Sequence, residues 1–164
     1  MSEPRLESSG AAIGRIPSGL FILTTISASG APAGMLVSWA QQASFSPPLV
    51  SVALGRDRGL REPLERAGLF ALSILGREDR ALAGLFSRPP EPGTDGRGPF
   101  DRVPTETRPS GLVVLKGALA FVECRLFQKV PAGDHVLYFG EVLDGAPLRD
   151  GEPAVHWRKS GLQY

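Results

Sequence analysis

Short apolar runs, each ended by glycine, proline or small polar residues, recur along the chain. Leu20 to Ser27 (LFILTTIS) is rich in β-branched and aromatic residues and stops at Ser29-Gly30, which predicts a strand running into a turn. Ala33 to Ala40 reads as the return strand. Leu49 to Leu54 and Leu69 to Leu75 are short apolar runs, each interrupted by one serine, the pattern of buried strands. From Leu112 to Phe127, Ala118, Ala120, Val122, Cys124 and Leu126 share one face, with Glu123 and Arg125 on the other. Pro131 to Asp134 supplies turn residues, and His135 to Leu143 completes a long hairpin. Ala154 to Arg158 gives a last short strand.

Two stretches follow a helical period instead. Leu60 to Ala67 has Pro63 in its first turn and Gly68 at its end. Arg77 to Phe86 begins with acidic residues and places Leu82, Leu85 and Phe86 on one side. A weaker helical turn falls at Ala11 to Ile16, and Met1 to Gly10 reads as a frayed tail. Residues 1–12 are therefore expected to be a flexible tail and 13–164 one domain. Ser87 to Gly111 contains six prolines and four glycines with few apolar residues. A stretch of that length inside a compact domain is expected to be a loop covering a site. About seven strands and two helices with short connections predict a mainly β fold, an antiparallel barrel with appended helices.

Composition narrows the function classes. The chain has 164 residues, enough for one core, with 42% hydrophobic and 21% charged residues. Its net charge of +1, with the signs mixed, argues against a nucleic-acid partner. No apolar run is long enough to span a bilayer, and the N-terminus is no secretory signal, so the cytoplasm is the expected location. One cysteine, Cys124, excludes an intrachain disulfide and a four-thiolate metal site, and no metal is expected. His135 and His156 are the two histidines, the side chains that titrate nearest neutrality. There is no Gly-x-Ser-x-Gly nucleophile elbow and no dinucleotide-binding glycine fingerprint after a strand.

Two segments stand out as binding candidates. Ser38, Gln41, Gln42 and Ser44 bring polar groups together just after a strand and before Pro47-Pro48. On the residues alone, an ordinary polar strand end stopped by two prolines is the better reading. Gly55 to Gly59 (GRDRG) follows a strand and precedes a helix, and Arg56 and Arg58 add cations, so it is the phosphate candidate.

Four blocks in order carry a family resemblance: Gly34 to Pro48 (GMLVSWAQQASFSPP), Gly117 to Arg125, Gly133 to Val142 (GDHVLYFGEV) and Ala154 to Tyr164 (AVHWRKSGLQY). Together they resemble the flavin reductase-like family of FMN-binding split barrels, in the form found at the end of cyanobacterial diflavin flavoproteins and in stand-alone relatives. The resemblance covers about Ile13 to Tyr164. It implies an antiparallel split β-barrel, a homodimer, FMN near the subunit interface, and electron flow from NADH or NADPH through FMN to free flavin, oxygen, iron or a protein. It implies flavin contacts from Leu36, Val37, Ser38, Trp39, Gln41, Gln42, Ala43 and Ser44. Leu36 and Ser38 stand where many simple flavin reductases have Thr and Asn. It places His135 near flavin and nicotinamide as the catalytic candidate, orienting the nicotinamide because hydride transfer needs no general base. His156 and Tyr164 are expected near the ring or the partner subunit, and Phe100, with Phe86, over the ring. Cys124 is expected in the core.

Three activities remain open at this point: an NAD(P)H-dependent flavin oxidoreductase, an FMN electron-transfer protein reduced by a protein partner, and a split-barrel interaction protein without a working flavin site.

Overall fold

The computed structural model describes residues 3–87 and 98–162, with side chains from residue 7 onward. The elements, in order, are α1 (Glu3–Gly14), β1 (Phe21–Ile26), β2 (Pro32–Val37), β3 (Ala40–Phe45), β4 (Pro48–Gly55), α2 (Arg61–Ala67), β5 (Leu69–Ile74), α3 (Arg80–Phe86), a short 3-10 turn (Pro99–Arg102), β6 (Thr105–Thr107), β7 (Val113–Leu115), β8 (Ala120–Ala132) and β9 (His135–Pro147). Seven strands form one antiparallel sheet in the order β2-β1-β5-β8-β9-β4-β3, and β6-β7 form a separate ribbon.

A single buried cluster takes Leu23, Val37, Ala40, Val52, Phe70, Cys124 and Tyr138 from all seven strands of the main sheet, with Leu60 and Leu64 from and just before α2. Both edge strands therefore contribute to the same interior, and the sheet curls around it as a split barrel. The outer face of β1 and β5 is covered too. Ile22 and Leu75 pack with Phe86 of α3 and Leu115 of β7, while Ala71 packs with Leu112, Val114 and Phe121. Burial on both faces explains why β1 and β5 are apolar at most positions of either parity. The two threonines in β1 are buried with their hydroxyls satisfied: Thr24 donates to the Val113 carbonyl at 2.6 Å and Thr25 to that of Leu69 at 2.7 Å.

The structure departs from the sequence expectations in five places. The expected tail is helical from Glu3, and α1 docks on the chain's last residues: the Arg158 and Gly161 amides donate to the Gly14 and Gly10 carbonyls at 2.9 and 2.6 Å. A Cβ at Gly14 would lie 2.4 Å from the Arg158 carbonyl oxygen, so glycine permits that approach. The polar run after Val37 is a strand, β3. As a sheet edge it exposes Gln41, Gln42 and Ala43, so polar residues suit it. The strand expected over 112–127 is broken at Lys116-Gly117, where β7 leaves to pair with β6, so the Pro-rich stretch carries a strand of its own; residues 88–97 of that stretch lie outside the described residues. Glu123 lies on the face away from Cys124, as expected, but that face is itself covered. A bulge at Glu123/Cys124 and the β6–β7 ribbon enclose it with Arg108 and Ser110. The last expected strand is only a pair of bridges, Ser18 with His156 and Gly76 with Pro153.

The helices fall close to the expected segments. α2 ends at Gly68 in the left-handed region (φ 64°), whose amide donates to Leu64. α3 begins at Arg80, because Asp79 turns back to accept the Gly76 amide at 2.6 Å.

Candidate flavin site

A cleft of about 750 Å³ opens between the end of β2 and the loop leading into α2. One wall is the backbone and side chains of Ala33 to Trp39. The opposite wall is Ala53, Leu54 and Gly55 from β4, followed by Arg58, Gly59, Leu60 and Pro63. Phe86, Ser87, Gly98, Pro99 and Phe100 close one side, and Leu20 and His156 another.

Local packing shapes each wall. A Cβ at Gly34 would meet Phe100 Cζ at 2.8 Å and the Leu23 carbonyl oxygen at 3.1 Å, so this glycine lets Phe100 lie against β2. Phe100 is held edge-on to Phe86 with ring centroids 5.1 Å apart. Trp39 sits between two basic groups: the His135 ring at a centroid distance of 4.7 Å and the Arg158 guanidinium at 4.8 Å.

Sequence-predicted residues divide into those the cleft gathers and those it does not. Leu36, Val37, Ser38, Trp39, Arg58, Phe100 and His156 line it. Gln41, Gln42, Ala43 and Ser44 lie along the edge strand β3, the first three exposed to solvent. Arg56 is exposed and is committed to the β8–β9 turn, donating from Nε to the Gly133 carbonyl at 2.9 Å while its amide donates to Asp134. His135 is nearly buried behind Trp39, with Nδ1 2.7 Å from Asp134 Oδ1. That hydrogen bond, then the histidine's charge, holds the Asp134 carboxyl below the usual range. Tyr164 lies outside the described residues. Of the β4 wall, Gly55 opens the expected phosphate segment, but Ala53 and Leu54 were missed from sequence, because the run Leu49 to Leu54 reads as a buried strand and neither residue is polar.

The loop carrying Arg58 is braced from behind. Arg61 donates to the Arg56 carbonyl and to the Tyr138 hydroxyl, both at 2.9 Å. Tyr138, wholly buried, donates in turn to Glu65 at 2.6 Å, and Lys129 pairs with the other oxygen of Glu65 at 2.6 Å. Burial, then the bond to Glu65, raises the Tyr138 pKa; Lys129, then Tyr138, lowers that of Glu65.

The model of the flavin reductase like domain matches residues 13–162. The chain belongs to the flavin reductase-like family. A putative diflavin flavoprotein A 3 from Synechocystis sp. is 38% identical over 93% of this chain, and diflavin flavoprotein A 1 from the same organism is 36% identical over 93%. This flavin reductase-like domain spans about a quarter of the length of these curated relatives. Among solved structures, the NADH:FAD oxidoreductase SgcE6 of Streptomyces globisporus superposes with a TM-score of 0.81 at 27% identity, covering 96% of this chain and 91% of that one. The styrene monooxygenase flavin reductase of Pseudomonas putida S12 superposes with a TM-score of 0.76 at 25% identity, covering 90% and 91%. A further structure of the Streptomyces protein is a complex with NAD and FAD fragments, at a TM-score of 0.78 and 26% identity over 90% and 85%. No helix among the described residues is long and apolar enough to cross a membrane.

Proposed function

We propose that the domain binds FMN in the cleft and acts as an NAD(P)H-dependent flavin oxidoreductase. The observation that carries this reading is the make-up of the cleft: about 750 Å³, apolar along Leu36, Val37, Trp39 and Phe100, with a cation at its rim in Arg58. A flavin needs an apolar slot for its ring and a cation for its phosphate, and both are present in a volume typical of cofactor sites. When bound, the flavin supplies two-electron acceptance from a nicotinamide and return of those electrons singly or in pairs.

The protein's own part is to bind, orient and shield. Leu36 and Phe100 exclude water from the ring's edge. Ser38 offers a hydroxyl to its polar side. Arg58 holds the phosphate by charge, on a loop fixed by the Arg61–Tyr138–Glu65 chain. His135 acts as a positioning residue through Trp39, whose ring it packs against. In this reading two copies associate through exposed apolar residues of the sheet, Phe45 at 89% together with Phe127, Val130 and Leu143, and the edge strand β3 meets the partner. Gln41 to Ser44 would contact flavin only as part of that assembly. The domain acts in the cytoplasm.

A second reading is favoured by one observation. The curated relatives carry this region as a quarter of a longer chain, so an FMN electron-transfer module served by a partner domain is the alternative. The test is a visible spectrum of the purified protein, with a flavin band near ~450 nm expected, followed by NADH and NADPH oxidation with FMN, FAD and no added flavin. A colourless protein that takes up neither flavin overturns both readings. A yellow protein that oxidises neither nucleotide selects the second.

A further inference from the structure

The segment after Pro153 alternates as an extended chain does. Ala154 is buried and His156 and Arg158 are half-buried, while Val155, Trp157 and Lys159 are exposed. Its inner face thus carries two residues to the cleft or its wall. His156 lines the cleft, and the Arg158 guanidinium lies 4.8 Å over the ring of Trp39, which lines it too.

Backbone bonds seat this segment. The Ala154 amide donates to the Leu75 carbonyl at 2.9 Å, and Ser18 and His156 exchange two amide bonds, at 2.8 and 2.7 Å. Beyond His156 the partner is α1. The Arg158 amide donates to the Gly14 carbonyl at 2.9 Å, an acceptor that has no partner within the helix because it belongs to the last turn. The Gly161 amide donates to the Gly10 carbonyl at 2.6 Å. A Cβ at Gly14 would run into the Arg158 carbonyl, and one at Gly161 into the Ile13 side chain. The crossing admits no side chain at either glycine, so it sets where the Arg158 backbone lies. A long arginine chain loses rotamer freedom when it is held on a ring, and a fixed backbone reduces that loss. A cation over an indole also counts for more where water is partly excluded, as it is at half-buried Arg158.

We propose that Arg158 is a positioning residue: seated by α1, it holds the Trp39 ring in the orientation that shapes the cleft for flavin, so the N-terminal helix is a working part of that cleft. This rests on the flavin reading above.

Trp39 and Trp157 are the two tryptophans, and Trp157 is half exposed and outside the cleft lining. Trp157→Phe therefore leaves Trp39 as the reporter, and this single variant is the parent for all others. Arg158→Met removes the charge and keeps an apolar stem; Arg158→Lys keeps the charge. In Arg158→Met, acrylamide quenching of Trp39 in FMN-free protein is expected to rise, and FMN binding to weaken by about threefold or more. The midpoint of chemical denaturation is expected to stay with the parent. Arg158→Lys is expected to bring both readouts back to within twofold of the parent. Gly14→Ala displaces the seat without touching the cleft and is expected to cause the same two losses, with Arg158→Met adding less on top of it than it does alone. Gly10→Ala is the milder second displacement, since its Cβ would meet the side chains of Leu162 and Ser160. Either readout unchanged in Arg158→Met overturns the proposal and leaves the flavin reading standing. So does a loss that Arg158→Lys fails to restore, or one that follows a fall in the denaturation midpoint. Folded glycine variants that keep both parent values overturn the role of α1. A parent that binds no FMN overturns the flavin reading and this proposal with it.

Discussion

At the scale of single residues, the cleft assigns different work to neighbouring side chains. Arg58 stands at its rim while Arg56, two residues earlier, ties down a turn. Arg58→Ala is therefore expected to weaken FMN binding by about tenfold or more, the worth of a hydrogen bond to a charged group, whereas Arg56→Ala is expected to leave the dissociation constant within about threefold. Fluorescence titration of both variants checks the contrast, and equal effects would move the phosphate elsewhere. His135 touches Trp39 and Asp134 and does not line the cleft. His135→Ala is expected to lower nicotinamide turnover more than FMN affinity, and Trp39→Ala to reproduce that loss; a His135 effect that persists in full on top of Trp39→Ala would mean that it does not act through the indole. Cys124 is fully buried, and burial pushes its thiol up to about 12. Native protein at pH 8 is expected to resist iodoacetamide and to take up one equivalent once unfolded, as mass spectrometry would show.

At the scale of elements, the β6–β7 ribbon is held by ions as much as by apolar contact. Arg108 reaches Glu123 at 2.8 Å, Asp144 at 2.7 Å and Glu106, and lies over the Phe121 ring at 4.6 Å. Glu123 is 4% exposed, so Arg108→Met leaves a buried side chain with Ser110 as its remaining hydrogen-bond partner and is expected to lower the midpoint of chemical denaturation. The same ribbon shows why sequence alone misled. Arg108 and Ser110 reach Glu123 across 15 and 13 residues of chain, and nothing local to Glu123 announces a partner; alternation put it on the face away from Cys124 and could not show that the ribbon covers that face. The hairpin β8–β9, by contrast, was legible because its strands alternate and its turn residues adjoin. The edge strand β3 was not, because solvent exposure removes the hydrophobic pattern by which strands are found. In the cleft, the wall from Leu36 to Trp39 was read from a family pattern; the β4 wall was hidden in an ordinary apolar run.

At the scale of the molecule, acid and base each have an arm, and the two meet at the Glu65–Tyr138 hydrogen bond. Glu65, Asp134 and Asp144 have carboxyl pKa values below the usual range through their hydrogen bonds to Lys129, His135 and the Gly145 amide, respectively. A lowered carboxyl pKa adds stability that is complete above the unfolded-state value and is lost as pH falls through the folded one. The melting temperature is therefore expected to hold from about pH 6 to 8 and to drop below about pH 4. Tyr138 is raised by burial, so its contribution is present below the unfolded value and is lost as pH rises beyond about 10. Calorimetry across that range checks both arms, and a melting temperature that rises on acidification would contradict the first.

Val37 ends β2 and Ala40 begins β3, and these two strands are the opposite edges of the main sheet. The chain itself thus crosses the seam on a tether of Ser38 and Trp39, which also line the cleft. Three steps of extended backbone reach no farther than about 11 Å. The sheet cannot gape at that end, however far thermal breathing parts the edges elsewhere. Anything held against Ser38 and Trp39 would rest on the stretch of the sheet whose width is fixed by covalent bonds.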